Sequence, residues 1–100
     1  TAYNQFKIAA SYYGKKDFET SLKYYNSSLD LYLALYGLND INVSNIYSYM
    51  ADIYCEKKNY TESLTLYNKA LEILKNHYPD RKDKIEQIET SIEKINSTKK

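Results

Sequence analysis

Apolar positions recur along this chain in alternating steps of three and four. The clearest run is Phe18, Leu22, Tyr25, Leu29, Tyr32 and Tyr36, with Ser21 and Ser28 set into the same stripe. That spacing gathers side chains on one side of an α-helix and would scatter them across both faces of a strand. It predicts a helix over 18–36. By the same reading a first helix covers 2–13, with Ile8, Ala9 and Tyr12 on its packed face. A third covers 41–57 through Ile46, Tyr47, Met50, Ala51, Ile53 and Tyr54, and a fourth covers 60–76 through Ser63, Leu64, Tyr67, Ala70, Leu71 and Leu74. A fifth covers 81–96, with Ile85, Ile88, Ile92 and Ile95 on one side only. Gly14-Lys15-Lys16-Asp17 and Lys57-Lys58-Asn59 read as turns. Gly37 reads as a left-handed stop, Asp40 as an N-cap and Pro79-Asp80 as a break. Residues 97–100 are expected to fray.

The pattern repeats. Ala9 returns as Ala51, Tyr12 as Tyr54, Lys15-Lys16 as Lys57-Lys58, Ser21-Leu22 as Ser63-Leu64, Tyr25-Asn26 as Tyr67-Asn68 and Leu29 as Leu71, always 42 residues apart. Self-similarity at a fixed period means stacked supersecondary units, each burying its apolar face against the next. The fold class is therefore all-α: one domain over 1–100, with repeat one over 2–36, repeat two over 41–78 and a closing helix over 81–96.

These residues resemble the tetratricopeptide repeat. That family places a small residue in the first helix and small residues in the second so that the pair packs closely. Ala9 and Ala51 match the first role, and Ser21, Ser28, Ser63 and Ala70 the others. Tyr12, Phe18 and Tyr25, then Tyr54, Tyr60 and Tyr67, fill the spaces between. The resemblance implies a right-handed α-α superhelix. The usual period is about 34 residues, so this chain carries about eight more per repeat. With Leu35-Tyr36-Gly37-Leu38-Asn39-Asp40 leading into Val43, the longer period resembles the kinesin-light-chain subtype. Gln5 stands where Tyr47 stands in the second repeat, which predicts looser packing at that end.

The ends of the stack are legible in the same register. Ile46 and Ile53 of the third helix, and Ile88 and Ile95 of the fifth, face the preceding pair, whereas the matching residues of the first helix are Asn4 and Ser11. Burying those two without partners would cost about 1–3 kcal/mol each, so no preceding repeat is expected. At the other end Glu89, Glu93 and Asn96 occupy the side that would receive a further helix, which predicts a solvated cap.

Composition narrows the function classes. The formal charge is +1 with both signs mixed, which favours neither nucleic acid nor an anionic membrane. Lys15-Lys16, Lys57-Lys58 and Arg81-Lys82-Asp83-Lys84 read as solvated turns rather than a phosphate-binding edge. No run reaches the roughly 18 apolar residues that a membrane span needs. The single cysteine, Cys55, permits no internal disulfide and allows a reducing compartment, so a cytoplasmic location is expected. Thirteen tyrosines, and lysine thirteen to one over arginine, indicate a coding bias that warns against assigning each tyrosine a role. The four Asn-x-Ser/Thr sequons, at Asn26, Asn42, Asn59 and Asn96, matter only in a secretory parent.

No catalytic constellation emerges. His77 is the only histidine, Cys55 has no base beside it, and the two glycines form no phosphate loop. Glu89 and Glu93 lie one turn apart, but the cap accounts for them better than acid–base work does. Neither enzyme activity nor a cofactor or metal is expected.

What remains is a surface. The resemblance implies that an extended peptide lies along the concave face made by the first helix of each pair. Carried onto this chain, that face is Tyr3, Phe6, Lys7, Ala10 and Tyr13, then Asn45, Ser48, Tyr49, Asp52 and Glu56, then Gln87, Thr90, Ser91 and Lys94. Each set is one helical strip. Its aromatics suit a peptide, and its charges are of mixed sign. Phe6, Ala10 and Asp52 stand where chaperone-binding relatives clamp a terminal carboxylate, which argues against that ligand. The leading reading is a protein-binding adaptor or scaffold. The alternative is a self-associating module that uses Tyr24, Leu33 and Leu35 on an outer face as a homodimer contact.

Overall fold

Five α-helices follow in chain order: α1 Ala2–Gly14, α2 Phe18–Tyr36, α3 Ile41–Glu56, α4 Tyr60–His77 and α5 Lys82–Lys99. The structure, a computed structural model, describes the backbone of residues 1–99 and the side chains of residues 1–98. No strand occurs among the described residues. The fold is an all-α helical repeat in which α1 pairs with α2 and α3 with α4. α2 lies against α3 and α5 against α4. The result is a slab of 40 × 32 × 19 Å.

The helix ends are held by local hydrogen bonds. The side-chain oxygens of Thr1, Asp17 and Asp40 accept from the N–H groups of Asn4, Thr20 and Asn42. Each capping residue thereby satisfies one donor that an isolated helix leaves open. The α1–α2 and α3–α4 turns are the same device. The Asp17 N–H donates to the Tyr12 carbonyl and the Lys16 N–H to the Tyr13 carbonyl. Asn59 and Lys58 repeat this with Tyr54 and Cys55. In both turns the left-handed residue is a lysine, Lys16 at φ 62° and Lys58 at φ 63°, while Gly14 stays helical. Gly37 departs from expectation in part. Its φ is positive at 87°, but ψ is 176°, so it is not a left-handed helical residue, although its N–H still bonds the Leu33 carbonyl. The expected fraying of Ser97 and Thr98 is also corrected. Both continue α5, and the Thr98 hydroxyl donates to the Lys94 carbonyl at 2.8 Å. Lys100 lies outside the described residues.

The small residues make close contact as the repeat pattern requires, and they do more than vacate space. Ser21 donates to the Ala9 carbonyl, Ser28 to Ala2 and Ser63 to Ala51, each at 2.8 Å, and Ser44 donates to Ala70 at 3.3 Å. All four serines are buried. Among the described residues no buried side-chain nitrogen or oxygen lacks a partner, which avoids the penalty for burying an unmatched hydroxyl.

The inner and outer helices differ sharply in burial. α3 buries seven side chains, including Ile46, Met50 and Ile53, whereas α1 buries only Ala2 and Ala9. On α1, Asn4, Ile8 and Ser11 lie exposed on the matching side. Ile8 was expected on the packed face and is the exception to that reading, because no helix in this chain covers its side of α1. At the far end Ile88 and Ile95 of α5 are buried, Glu93 is exposed, and the half-buried Glu89 pairs with Lys75 at 3.0 Å.

The outer-face trio expected on α2 is broken up. Tyr24 stacks on Tyr12 at 5.9 Å and Leu33 packs against the core, so neither is free for a partner. Leu35 stays 65% exposed, alongside Leu31 and Leu38.

Candidate functional site

The strips assigned to α1 and α3 meet through aromatic rings. Phe6 lies 5.5 Å from Tyr49 and 5.8 Å from Tyr25, and Tyr25 stacks on Tyr49 at 5.8 Å with the planes 4° apart. Tyr25 belongs to the apolar stripe of α2 and is fully buried, so it forms the floor. Tyr49 is 41% exposed and forms the accessible wall. Tyr3 projects further into solvent at the start of α1, with the Lys7 ammonium 5.4 Å from its ring centre. At the other end Tyr13 packs on Phe18 at 5.9 Å.

Three recesses follow these residues. One of about 70 Å³ is lined by Tyr3, Phe6, Tyr32, Asn42 and Asn45. A second, about 60 Å³, joins α3 to α5 through Asn45, Ser48, Tyr49 and Gln87, with Lys84 donating to the Asn45 side-chain oxygen at 3.0 Å. The third, about 210 Å³, is lined by Tyr13, Gly14, Lys16, Phe18 and Glu56. Of the fourteen residues that the resemblance singled out, the structure brings together Tyr3, Phe6, Asn45, Ser48, Tyr49 and Gln87 along one surface, and Tyr13 with Glu56 at its end. Ala10 and Lys94 are exposed on their helices and join none of these recesses.

Asp52 sits deeper than a groove charge would. Its carboxylate accepts a hydrogen bond from the Tyr67 hydroxyl of α4, and Ser91 of α5 lies beside the same hydroxyl. Burial pushes the Asp52 carboxyl above its ordinary value, the Tyr67 hydrogen bond pulls it back, and Glu56 adds to the rise. Burial also raises the Tyr13 and Tyr25 hydroxyls, with Asp52 adding to both rises. The Cys55 thiol is pushed up by burial and then by Asp52 and Glu56. That is the opposite of what a nucleophilic thiolate needs. Among the described residues no cluster of three or more His, Cys, Asp or Glu could hold a metal ion, and no helix is long and apolar enough to cross a membrane.

Tyr25, Tyr32, Tyr67 and Lys84 belong to this surface although the strip reading left them out. The signal for the first and third was present: Tyr25 and Tyr67 are repeat equivalents on the stripes of α2 and α4. From the paired helix the Tyr67 hydroxyl reaches Asp52 and the Tyr25 ring reaches Phe6 and Tyr49, which the spacing within one helix cannot reveal.

A larger recess, about 290 Å³, lies elsewhere, lined by Leu38, Asn39, Tyr47, Lys69, Glu72, Ile73 and Asn76. Tyr47 leaves α3 about 200° around the helix from both Asn45 and Tyr49, so this recess is not part of the inner strip. Volume alone does not mark a peptide surface, and this one lacks the run of rings that links α1 to α3.

A family model described as tetratricopeptide repeat matches residues 1–76, from the start of α1 to the last turn of α4. The chain belongs to the tetratricopeptide repeat family. No curated protein and no solved structure matches it. Tetratricopeptide repeat domains mediate protein–protein interaction and are typically non-enzymatic. The match covers both helical hairpins, so the 42-residue spacing is a lengthened form of this repeat.

Proposed function

We propose that this tetratricopeptide repeat domain is an adaptor or scaffold that holds an extended segment of a partner protein along the inner surface of α1, α3 and α5. The observation that carries this reading is the continuous Phe6–Tyr25–Tyr49 cluster, a buried floor with an accessible wall. Aromatic rings of this kind give a peptide a large apolar contact at little entropic cost, and the exposed Tyr49 adds a hydroxyl for backbone groups. The lengthened period and the Leu35–Asp40 connector support assignment to the kinesin-light-chain-like subtype. The half-buried, unpaired Cys55 supports a cytoplasmic setting.

Peptide-library titration tests the reading, with Phe6→Ala and Tyr49→Ala as controls. Both variants are expected to lose at least about tenfold in affinity, as truncated hot-spot aromatics do. Retention of every bound peptide by both variants rejects this surface.

A self-associating module is the second reading. It is favoured by Leu31, Leu35 and Leu38, which are large, apolar and exposed on or just beyond α2. Light scattering over a concentration series separates the two, because a constant monomer mass removes this reading and leaves the first.

A further inference from the structure

The inner surface carries negative charge with no counter-ion. Asp52 and Glu56 lie one turn apart on α3, and the one ion pair among the described residues, Lys75 with Glu89, involves neither. Nearby cations are otherwise placed. Lys7 lies over the Tyr3 ring, Lys84 donates to Asn45, and Lys94 is exposed on α5 without an ion pair. Lys16 rims the recess at Tyr13 and Glu56 but forms no ion pair with Glu56. Four groups around the two carboxylates respond in the same sense. Tyr13, Tyr25, Cys55 and Tyr67 are all raised in part by Asp52, and no cation offsets the effect at any of them. A partly buried carboxylate facing a second carboxylate, with no cation to offset it, is unfavourable. The arrangement gains most from a positive charge brought from outside.

The surrounding rings suit the same charge. Tyr49 and Phe6 on one side, and Tyr13 with Phe18 on the other, present aromatic groups within the reach of a long side chain. Aromatic faces attract ammonium and guanidinium groups, and a carboxylate beside them adds a charge-assisted hydrogen bond. The recess of about 210 Å³ at Tyr13, Phe18 and Glu56 gives such a side chain room. An acidic side chain at the same place would be repelled, which makes the site selective as well as attractive.

We propose that the partner segment is anchored by a basic residue, a lysine or arginine whose cation sits between the inner aromatic rings and the Asp52 and Glu56 carboxylates. This rests on the groove reading above and adds the chemistry of the ligand.

The test uses three pools of degenerate, otherwise uncharged nonapeptides that differ only at a fixed central residue: lysine, norleucine or glutamate. Affinity is read by fluorescence anisotropy, and the site is read from the ring resonances of Phe6 and Tyr49. The lysine pool is expected to bind at least about tenfold tighter than the norleucine pool, the order of one hydrogen bond to a charged group, and the glutamate pool weakest. Asp52→Asn combined with Glu56→Gln should bring the lysine pool down to the norleucine level. Glu56→Gln alone, at an exposed position, should lower it partway and serves if the double variant folds poorly. Equal binding of the lysine and glutamate pools, or no effect of either variant, overturns the proposal. If only norleucine or glutamate pools move the ring resonances, the basic anchor is wrong and the groove stands. If no pool moves them, both fall.

Discussion

Ser63 donates a hydrogen bond to the Ala51 carbonyl oxygen at 2.8 Å, joining α4 to α3, and Ser21 does the same to Ala9 one repeat earlier. Both partners in each pair are fully buried. A serine here is therefore a clasp as well as a small residue. Ser63→Ala should cost about 1 kcal/mol, the net worth of one such bond, because the Ala51 carbonyl remains inside its helix. Ser63→Val should cost more, about 2–3 kcal/mol, by adding bulk where the helices touch. Urea unfolding of the two variants checks the order, and equal losses would show that the lost hydrogen bond accounts for both and the added bulk for nothing.

Lys16 and Lys58 adopt positive φ at the end of the first helix of each pair. A side chain with a Cβ pays roughly 1–2 kcal/mol in that conformation, and glycine avoids it at some cost in unfolded-state entropy. Lys58→Gly should stabilise the domain by about 0.5–1 kcal/mol, and Lys16→Gly should act similarly. A rise in the thermal midpoint for each is the expected result, while Gly14→Ala should bring no comparable penalty, because Gly14 is helical.

Asp52 should leave a signature in the pH dependence of stability. Its folded carboxyl lies above the ordinary value of 3.8, chiefly through burial. The folded chain therefore binds this proton more tightly than the unfolded chain does. The stabilisation from protonation is full below the unfolded value and is lost as pH rises through the raised folded value. Asp52→Asn retains an acceptor for the Tyr67 hydroxyl and removes the charge. It should be more stable than the parent at neutral pH, and the advantage should shrink as pH falls toward about 3. Paired denaturation curves at the two pH values isolate this group from the other carboxylates, and a pH-independent difference would contradict it.

Ile8 and Met50 hold the same register one repeat apart, yet Ile8 is 37% exposed and Met50 is 6%. Met50→Ala should cost about 2–4 kcal/mol, and Ile8→Ala less than about 1 kcal/mol. Calorimetry on both variants of this 100-residue chain tests whether the outer side of α1 is as free as it stands.

Much of the architecture is local and was legible from the order of residues. The three-and-four spacing is a property of a single helix, so it located all five helices to within a few residues. The 42-residue recurrence did the same for their pairing. Asp40 as a cap is a contact two residues long, and it too could be read. The candidate surface was legible only as strips, because Tyr3, Phe6, Asn45 and Tyr49 each declare a side of their own helix. That Phe6 meets Tyr49, and that Tyr25 lies beneath both, depends on how α1, α2 and α3 cross.

The sequence by itself determined which side of each helix is apolar and where the first four helices stop to within a residue, because these depend on neighbours within a turn of the chain. Only the tertiary structure decided which apolar sides find a cover, which serines become interhelical bonds, and that Asp52 lies under Tyr67 rather than beside a lysine. Periodicity gives the direction of a side chain from its own axis. Burial, hydrogen bonding and the field at a carboxylate are set by what another axis places in that direction.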